Sequence, residues 1–379
     1  MKKVVVVTGT RADYGIYYPI LSVIENEATL DLNILVTGMH LSPQHGYTVE
    51  NIKQDGFKIS AQVDCLFHGS TNANMARSIG IAILGMTQAL ESIQPDCVIV
   101  LGDRGEMLAA SIVSAHMNIP VLHLHGGEVS GTIDESIRHA ISKLAHIHLV
   151  STEKSRERLI RLGEDKWRIH IVGAPRIETI ENTNLPNLED TKVKFGLDFS
   201  GEYLLLIYHP VTTETTDIED VRRIVEVMLS FEMPIICVLP NSDAGSDTIM
   251  KVYKEFSMRE EIYCVSNFDQ LSYLTILKHA EVLVGNSSSG IIEAASFHVP
   301  VINIGNRQGN RERSSNVIDT DHNKVELKKA LTTAQSEEFR QSLKNLKNVY
   351  GKDNTSLSIL NIIKELNFSQ ELIQKTITY

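Results

Sequence analysis

The stretch VVVVTGTRADYG occupies residues 4–15. Four successive valines show no alternation of apolar and polar positions, so the strand they predict is covered on both faces. The run stops at Thr8, Gly9, Thr10 and Arg11, where Gly9 lets the chain turn tightly and a ligand approach the backbone. The same grammar recurs along the first half. Residues 32–36 lead into Thr37 and Gly38, residues 98–101 into Gly102, Asp103 and Arg104, and residues 121–124 into His125, Gly126, Gly127 and Glu128. Helical patterns lie between them, for example over 75–90 and 107–117. Buried strands alternating with helices predict a parallel sheet with right-handed crossovers.

The pattern pauses over 181–201, a polar stretch that includes Asn182, Asn184, Pro186 and Asn187, and then restarts. Runs at 204–207, 235–239, 282–284 and 301–304 end at Tyr208, His209 and Pro210; at Pro240 and Asn241; at Gly285 and Asn286; and at Gly305, Asn306 and Arg307. The expected fold class is α/β, with two Rossmann-like doubly wound domains facing a central cleft. The first covers 1–175, a linker region covers 176–200, and the second covers 201–379. The last helical stretch, from about Ser356, is a candidate to pack back on the first domain. Open parallel sheets bind ligands beyond the carboxyl ends of their strands. Arg, Asp, His, Glu, Asn and Ser gather at those ends in both halves.

A chain of 379 residues is too long for one ordinary core, which agrees with two domains. The net charge of −11 disfavours nucleic acid or an anionic membrane as partner, because phosphate backbones need clustered Lys and Arg. It leaves room for a small phosphorylated ligand held by a local positive site. The four cysteines, Cys65, Cys97, Cys237 and Cys264, form no C-x-x-C pair and read as free thiols in a reducing compartment. Met1, Lys2 and Lys3 lead directly into the valine run with no cleavage site, and no apolar stretch is long enough to span a bilayer. A cytoplasmic protein is expected.

GNSSSGIIE at 285–293 joins a buried strand to a helix through small residues. Backbone N–H groups at the helix start, with the hydroxyls of Ser287 and Ser288, would bind a diphosphate, and Gly290 keeps the turn small. Glu293, one turn into the helix, could accept ribose hydroxyls. The structural alternative is a serine N-cap with Glu293 closing a capping box. Capping alone needs one serine rather than three, so phosphate binding is preferred. Arg11 reads either as a diphosphate clamp or as a salt-bridged surface residue. Arg307 reads as a second clamp or as a solvated loop arginine.

Asp103, Glu128 and Asp134 stand at loops of the first half, a placement suited to general acid and base work. Asp134 and its neighbour Glu135 could equally favour the start of the helix through Ile137 and Ile141. His209 follows a strand and precedes Pro210, which favours the cleft over the core. The 14 histidines include a cluster at His123, His125, His139, His146 and His148, but no H-E-x-x-H pattern occurs. Asp319, Thr320, Asp321 and His322 are expected to open the helix beginning near Val325. No metal and no cofactor are expected, and the absence of G-x-G-x-x-G leaves a nicotinamide unsupported.

Taken in order, GTRADYG at 9–15, GDR at 102–104, HGGEVSGTIDESIRHAISKLAH at 125–146, HPVTT at 209–213, PNSDAGSD at 240–247, GNSSSGIIE at 285–293 and INIGNRQGNRER at 302–313 resemble the hydrolysing UDP-N-acetylglucosamine 2-epimerases. The resemblance implies a fold like that of the two-domain, GT-B-type nucleotide-sugar glycosyltransferases. It implies conversion of UDP-N-acetylglucosamine and water to N-acetylmannosamine and UDP, on the route to sialic acid. Non-hydrolysing relatives typically carry GTRPE at the first loop, where this chain has Arg11, Ala12 and Asp13. By the same match Arg11, Ser287, Ser288 and Glu293 look like nucleotide-diphosphate ligands, and Asp103, Glu128, Asp134 and His209 like the catalytic set. Arg104, Asn241 and Arg307 look like further cleft residues. A homodimer or homotetramer is implied as well.

The chemistry explains those residue types. The C2 proton of a pyranoside becomes acidic once the C1–O bond to UDP breaks with oxocarbenium character. A carboxylate then removes it, giving a 2-acetamidoglucal and UDP. Water adds at C1 and an acid returns a proton to the other face of C2. Two rivals share these motifs: the same reaction on UDP-2,4-diacetamido-2,4,6-trideoxyglucose, and a glycosyltransferase that would have no need of the Asp103, Glu128 and Asp134 group. A binder without turnover would need no acid–base pair at all.

Overall fold

The valine run forms the core of β1 (Lys2–Thr8), and Val4, Val5, Val6 and Val7 are all fully buried, as an unalternating run requires. In the computed structural model, which describes residues 1–67, 72–129, 133–211, 217–240 and 245–378 apart from the side chains of His45 and Asn72, this strand lies within a sheet of seven. Its companions are β2 (Leu30–Thr37), β3 (Ile59–Val63), β4 (Cys97–Leu101), β5 (Val121–Leu124), β6 (Ile147–Val150) and β7 (Ile169–Ile171). The order is β3-β2-β1-β4-β5-β6-β7 and every pairing is parallel. Sequence order therefore reverses between β1 and β4, and the loops leaving these two strands diverge to opposite faces.

A second parallel sheet has six strands in the order β10-β9-β8-β11-β12-β13. They are β8 (Leu204–Ile207), β9 (Ile235–Val238), β10 (Ile262–Val265), β11 (Val282–Gly285), β12 (Val301–Ile304) and β13 (Val317–Thr320). The reversal here falls between β8 and β11. Each sheet carries an apolar core on both faces. In the first, one face packs against the helices Arg11–Glu25 and Thr355–Glu365, the other against Asn72–Ile93 and Gly105–His116.

The chain divides into two compact units. Unit 1 holds Met1–Val129, Ile133–Thr179 and Tyr350–Tyr379; unit 2 holds Ile180–Val349. The region expected as a linker, 176–200, is instead helical at Pro175–Asn182 and Leu188–Phe195. Its Asn and Gly residues act as punctuation: the Asn187 side chain caps the second helix by accepting from Glu189 N, and Gly196 closes it in the left-handed conformation. The C-terminal stretch is held in unit 1 by backbone acceptors. Lys2 Nζ reaches Lys364 O at 2.7 Å and Leu366 O at 2.9 Å, and Arg168 reaches Leu372 O at 2.9 Å. Among the described residues no helix is long and apolar enough to cross a membrane.

Gly285 sets how closely β11 approaches β8. Its φ is +137°, and a Cβ there would lie 2.0 Å from Ile207 O. Both facts exclude any side chain. Gly285→Ala should destabilise unit 2 by about 3 kcal/mol in urea unfolding followed by circular dichroism. The fluorescence transition of the single tryptophan, Trp167, reports unit 1 and should stay in place. An unchanged unit 2 transition would show that the strands can separate to admit the methyl group.

Candidate functional site

The first loop is organised by a carboxylate. Thr10 caps the helix Arg11–Glu25, and Asp13 completes a capping box by turning back on the loop. Asp13 Oδ2 accepts Gly9 N at 3.0 Å and Thr10 N at 2.9 Å, and Oδ1 accepts the Thr10 hydroxyl. The backbone donors that would cradle a phosphate here are thus occupied by the chain's own anion. Burial pushes the Asp13 carboxyl up, against the pull of Arg104 and of these hydrogen bonds. Arg104, from the loop after β4, pairs with the buried Glu106 at 3.3 Å. His40 packs behind, between the Thr8 hydroxyl at 3.0 Å and the Thr48 hydroxyl at 2.7 Å, and burial holds it down to about 4. Arg11 is exposed in the first helical turn.

A second cluster spans the ends of β4, β5 and β6. Its centre is Arg138, on the core-facing side of the helix Ile133–Leu144. This guanidinium is 4% exposed. It binds Asp103 from the β4 loop and, at 3.1 Å, Glu128 Oε2 from the β5 loop. Burial opposes its charge, but Glu128 and Asp103 outweigh that and hold it firmly protonated. The other oxygen of Glu128 accepts His125 Nδ1 at 2.6 Å and the Ser151 hydroxyl, at the end of β6, at 3.0 Å. His125 has φ +62°, unusual without glycine. Beneath the cluster His123, fully buried and pushed down to about 3 by desolvation, stays neutral; its Nε2 donates to Gly102 O at 2.8 Å and so fixes the turn before Asp103.

Asp103 and Glu128, two of the three carboxylates expected to act together, are therefore joined through one cation. The side chain of Asp103 is 24% exposed while that of Glu128 is 9% exposed, so the two carboxylates sit in different environments. Asp134 is exposed in the first turn of its helix, where its charge also suits the helix amino end. Arg138 and Ser151 were not singled out from the sequence, and His125 entered only at a strand end and in the histidine cluster set aside as a metal site. The signal for Arg138 was present: it shares a helix face with Ile141 and Ser142, and a charge on a core-facing stripe demands partners.

In unit 2 the β11 loop is built of neutral donors. Asn286 Nδ2 donates to His209 O and Asn286 Oδ1 accepts His209 N, both at 2.8 Å, so a side chain extends the β8–β11 ladder by one rung and places His209. Ser287 caps the helix Ser288–Ile292 through Ser289 N. This helix has five residues rather than the longer one expected, and Glu293 is its C-cap rather than an interior position. No capping box forms: Glu293 Oε2 instead accepts the Ser289 hydroxyl at 2.6 Å, and Ser289 also meets the Tyr273 hydroxyl. So short a helix offers little macrodipole, and what the loop presents to an anion is its local N–H and hydroxyl groups. Gly290 is buried where a Cβ would lie 2.9 Å from Val301, so its size serves helix–sheet packing.

Arg307 donates to Asn286 O at 3.0 Å and Gln308 to the same oxygen at 3.1 Å, folding the β12 loop onto the β11 loop. Asn241 lies outside the described residues. A cavity of about 550 Å³ opens beside Tyr208, Asn306 and Arg313, but Asp217, Asp220, Asp319 and Asp321 also line it. Arg313 is paired with Asp319, so the cavity has the wrong sign for a diphosphate. Asp319 and Thr320 belong to β13 and do not open the following helix; Asn323 caps it.

Two doubly wound parallel units with polar loops at their topological reversals define an α/β protein of the GT-B-like class. The chain belongs to the UDP-N-acetylglucosamine 2-epimerase family, whose model matches residues 22–364. It is 41% identical, over all of both chains, to the UDP-N,N'-diacetylbacillosamine 2-epimerase (hydrolyzing) of Legionella pneumophila. It is 36% identical to the UDP-N-acetylglucosamine 2-epimerase of Neisseria meningitidis, over 89% of this chain and 88% of that one. Its fold matches the crystal structure of UDP-GlcNAc 2-epimerase from Neisseria meningitidis bound to UDP-GlcNAc with a TM-score of 0.81, at 18% identity, over 96% of this chain and 100% of that chain.

Arg138→Met should cost about 3–5 kcal/mol, because it leaves two partly buried carboxylates facing each other without a cation. The loss should be read from the Trp167 transition at pH 7. An unchanged transition would mean that Arg138 contributes packing, which Met retains, and not charge.

Proposed function

We propose that the chain is a hydrolysing 2-epimerase that converts a UDP-2-acetamido sugar and water to UDP and the free sugar inverted at C2. The observation that carries this reading is the pair Asp103 and Glu128, held at adjacent strand ends by a single guanidinium in a member of the epimerase family. Departure of UDP from C1 makes the C2 proton acidic. Asp103, the more exposed carboxylate, removes it. Glu128, with His125 at 2.6 Å, belongs to the proton-return side together with Asp134 and His209. Ser287, Ser288, Arg307 and Arg11 stabilise the departing diphosphate, Glu293 takes the ribose hydroxyls on releasing Ser289, and Arg104 and Asn241 complete the binding set. These steps need no nicotinamide and no metal. Four free cysteines agree with a reducing, cytoplasmic setting.

The relative at 41% identity, named for UDP-N,N'-diacetylbacillosamine, favours the 2,4-diacetamido-6-deoxy sugar over UDP-N-acetylglucosamine. The reaction is the same on either; only the groups at C4 and C6 differ.

Incubation with each UDP-sugar, followed by proton and phosphorus NMR, tests this reading. UDP and a free sugar of manno configuration at C2 are expected from at least one. A nucleotide-bound epimer, a free sugar with unchanged C2, or no turnover of either would overturn it. Asp103→Asn and Glu128→Gln should each lose about a hundredfold or more in kcat while still binding UDP. Ser288→Ala and Glu293→Ala should weaken UDP binding by roughly 1.5–3 kcal/mol each in calorimetry. Unchanged UDP affinity in both would move the nucleotide to another loop.

A further inference from the structure

Two of the four cysteines face each other across neighbouring strands. Cys237 in β9 and Cys264 in β10 are register partners in a parallel pair. Adjacent strands lie about 4.8 Å apart, inside the Cα spacing of roughly 4.4–6.8 Å that a disulfide spans. Register partners project from the same face of a sheet. Cys237 and Ile262, which is two residues before Cys264, belong to one core cluster and confirm the face.

Their surroundings differ. Cys237 is fully buried, whereas Cys264, on the edge strand, is exposed. Cys264 lines a cavity of about 500 Å³ together with Leu239, Tyr253, Lys251 and Lys254. A small oxidant therefore reaches one sulfur and not the other. The neighbouring Cys237 favours the thiolate of Cys264 against the opposing effect of burial, while Cys237 is pushed up by Cys264 and by burial.

We infer that Cys264 and Cys237 form a reversible thiol–disulfide pair, with Cys264 the sulfur attacked by a hydroperoxide and Cys237 the resolving thiol. The Cys264 thiolate attacks a peroxide oxygen and the O–O bond breaks. With hydrogen peroxide, hydroxide leaves and Cys264 becomes a sulfenic acid. Cys237, losing its proton, attacks that sulfur. The S–O bond breaks, a second hydroxide leaves and the S–S bond forms. The two thiol protons convert the hydroxides to water. Two thiols give up two electrons and one hydrogen peroxide accepts them. The bond pins the edge strand β10 to β9 within unit 2. The proposal does not depend on the epimerase reading, since neither sulfur belongs to the loops assigned to substrate.

The test is peptide mapping of the full chain after hydrogen peroxide, with alkylation in denaturant and mass spectrometry without reductant. The expected result is a peptide pair joined through Cys237 and Cys264, lighter by two hydrogen atoms, with Cys65 and Cys97 still alkylated. Dithiothreitol should restore all four thiols. Cys237→Ser should leave Cys264 as a sulfenic acid that dimedone traps, and Cys264→Ser should leave Cys237 unoxidised. Recovery of four alkylated thiols after peroxide, pairing of Cys264 with Cys65, Cys97 or a second copy of the chain, or dimedone labelling of Cys237 in Cys264→Ser would each overturn the assignment.

Discussion

A guanidinium shut away from water keeps its charge only where anions replace the lost solvation. Arg138 is in that position, and its dependence on Asp103 and Glu128 fixes the strand-end edge of unit 1. Asp103 arrives from β4 and Glu128 from β5, and Ser151 at the end of β6 takes the remaining oxygen of Glu128. Two strand ends are thereby tied to one helix by charge, and a third is joined to them through the Ser151 hydroxyl. Between β1 and β4 the same device recurs at smaller scale: Asp13 gathers the first loop and Arg104 with Glu106 closes it from the other side. The edge is rich in carboxylates, yet each one described there has a partner, which is how an acidic site stays folded.

Unit 2 solves the opposite problem. A diphosphate would be repelled by the carboxylates of unit 1, and the β11 loop presents none that is ready to meet it: Glu293 is engaged by Ser289, and the rest of the stretch offers hydroxyls, backbone amides and the Asn286 carboxamide. Gly285 permits the close approach of β8 and β11 that lets Asn286 bridge to His209. The strand-end edge of unit 1 is built on a buried ion network, and the β11 loop of unit 2 on neutral donors.

Strands buried on both faces were legible because nothing interrupts them: 4–7, 98–101 and 204–207 are apolar throughout. The edge strands β3 and β13 were not, because an edge is half solvated; β3 holds Ser60 and Gln62, and β13 holds Asp319 and Thr320. The site residues at strand ends, such as Asp103 and Glu128, followed from their position in the pattern. Arg138 did not, because its meaning depends on two carboxylates brought to it from 35 and 10 residues away. The length of the helix after Ser287 was misjudged for a packing reason: Gly290 is pressed against Val301 and the chain breaks into a tighter turn at Ala294–Phe297.

Turnover of the UDP-sugar in deuterium oxide reads the elimination step directly. On the proposed mechanism, removal of the C2 proton by Asp103 and its return from solvent on the other face would place deuterium at C2 of every released sugar molecule. Proton NMR of the product should show the C2 signal absent and the C1 coupling collapsed. A released sugar that keeps protium at C2 would contradict elimination and with it the assignment of Asp103 and Glu128 as the groups that move the proton.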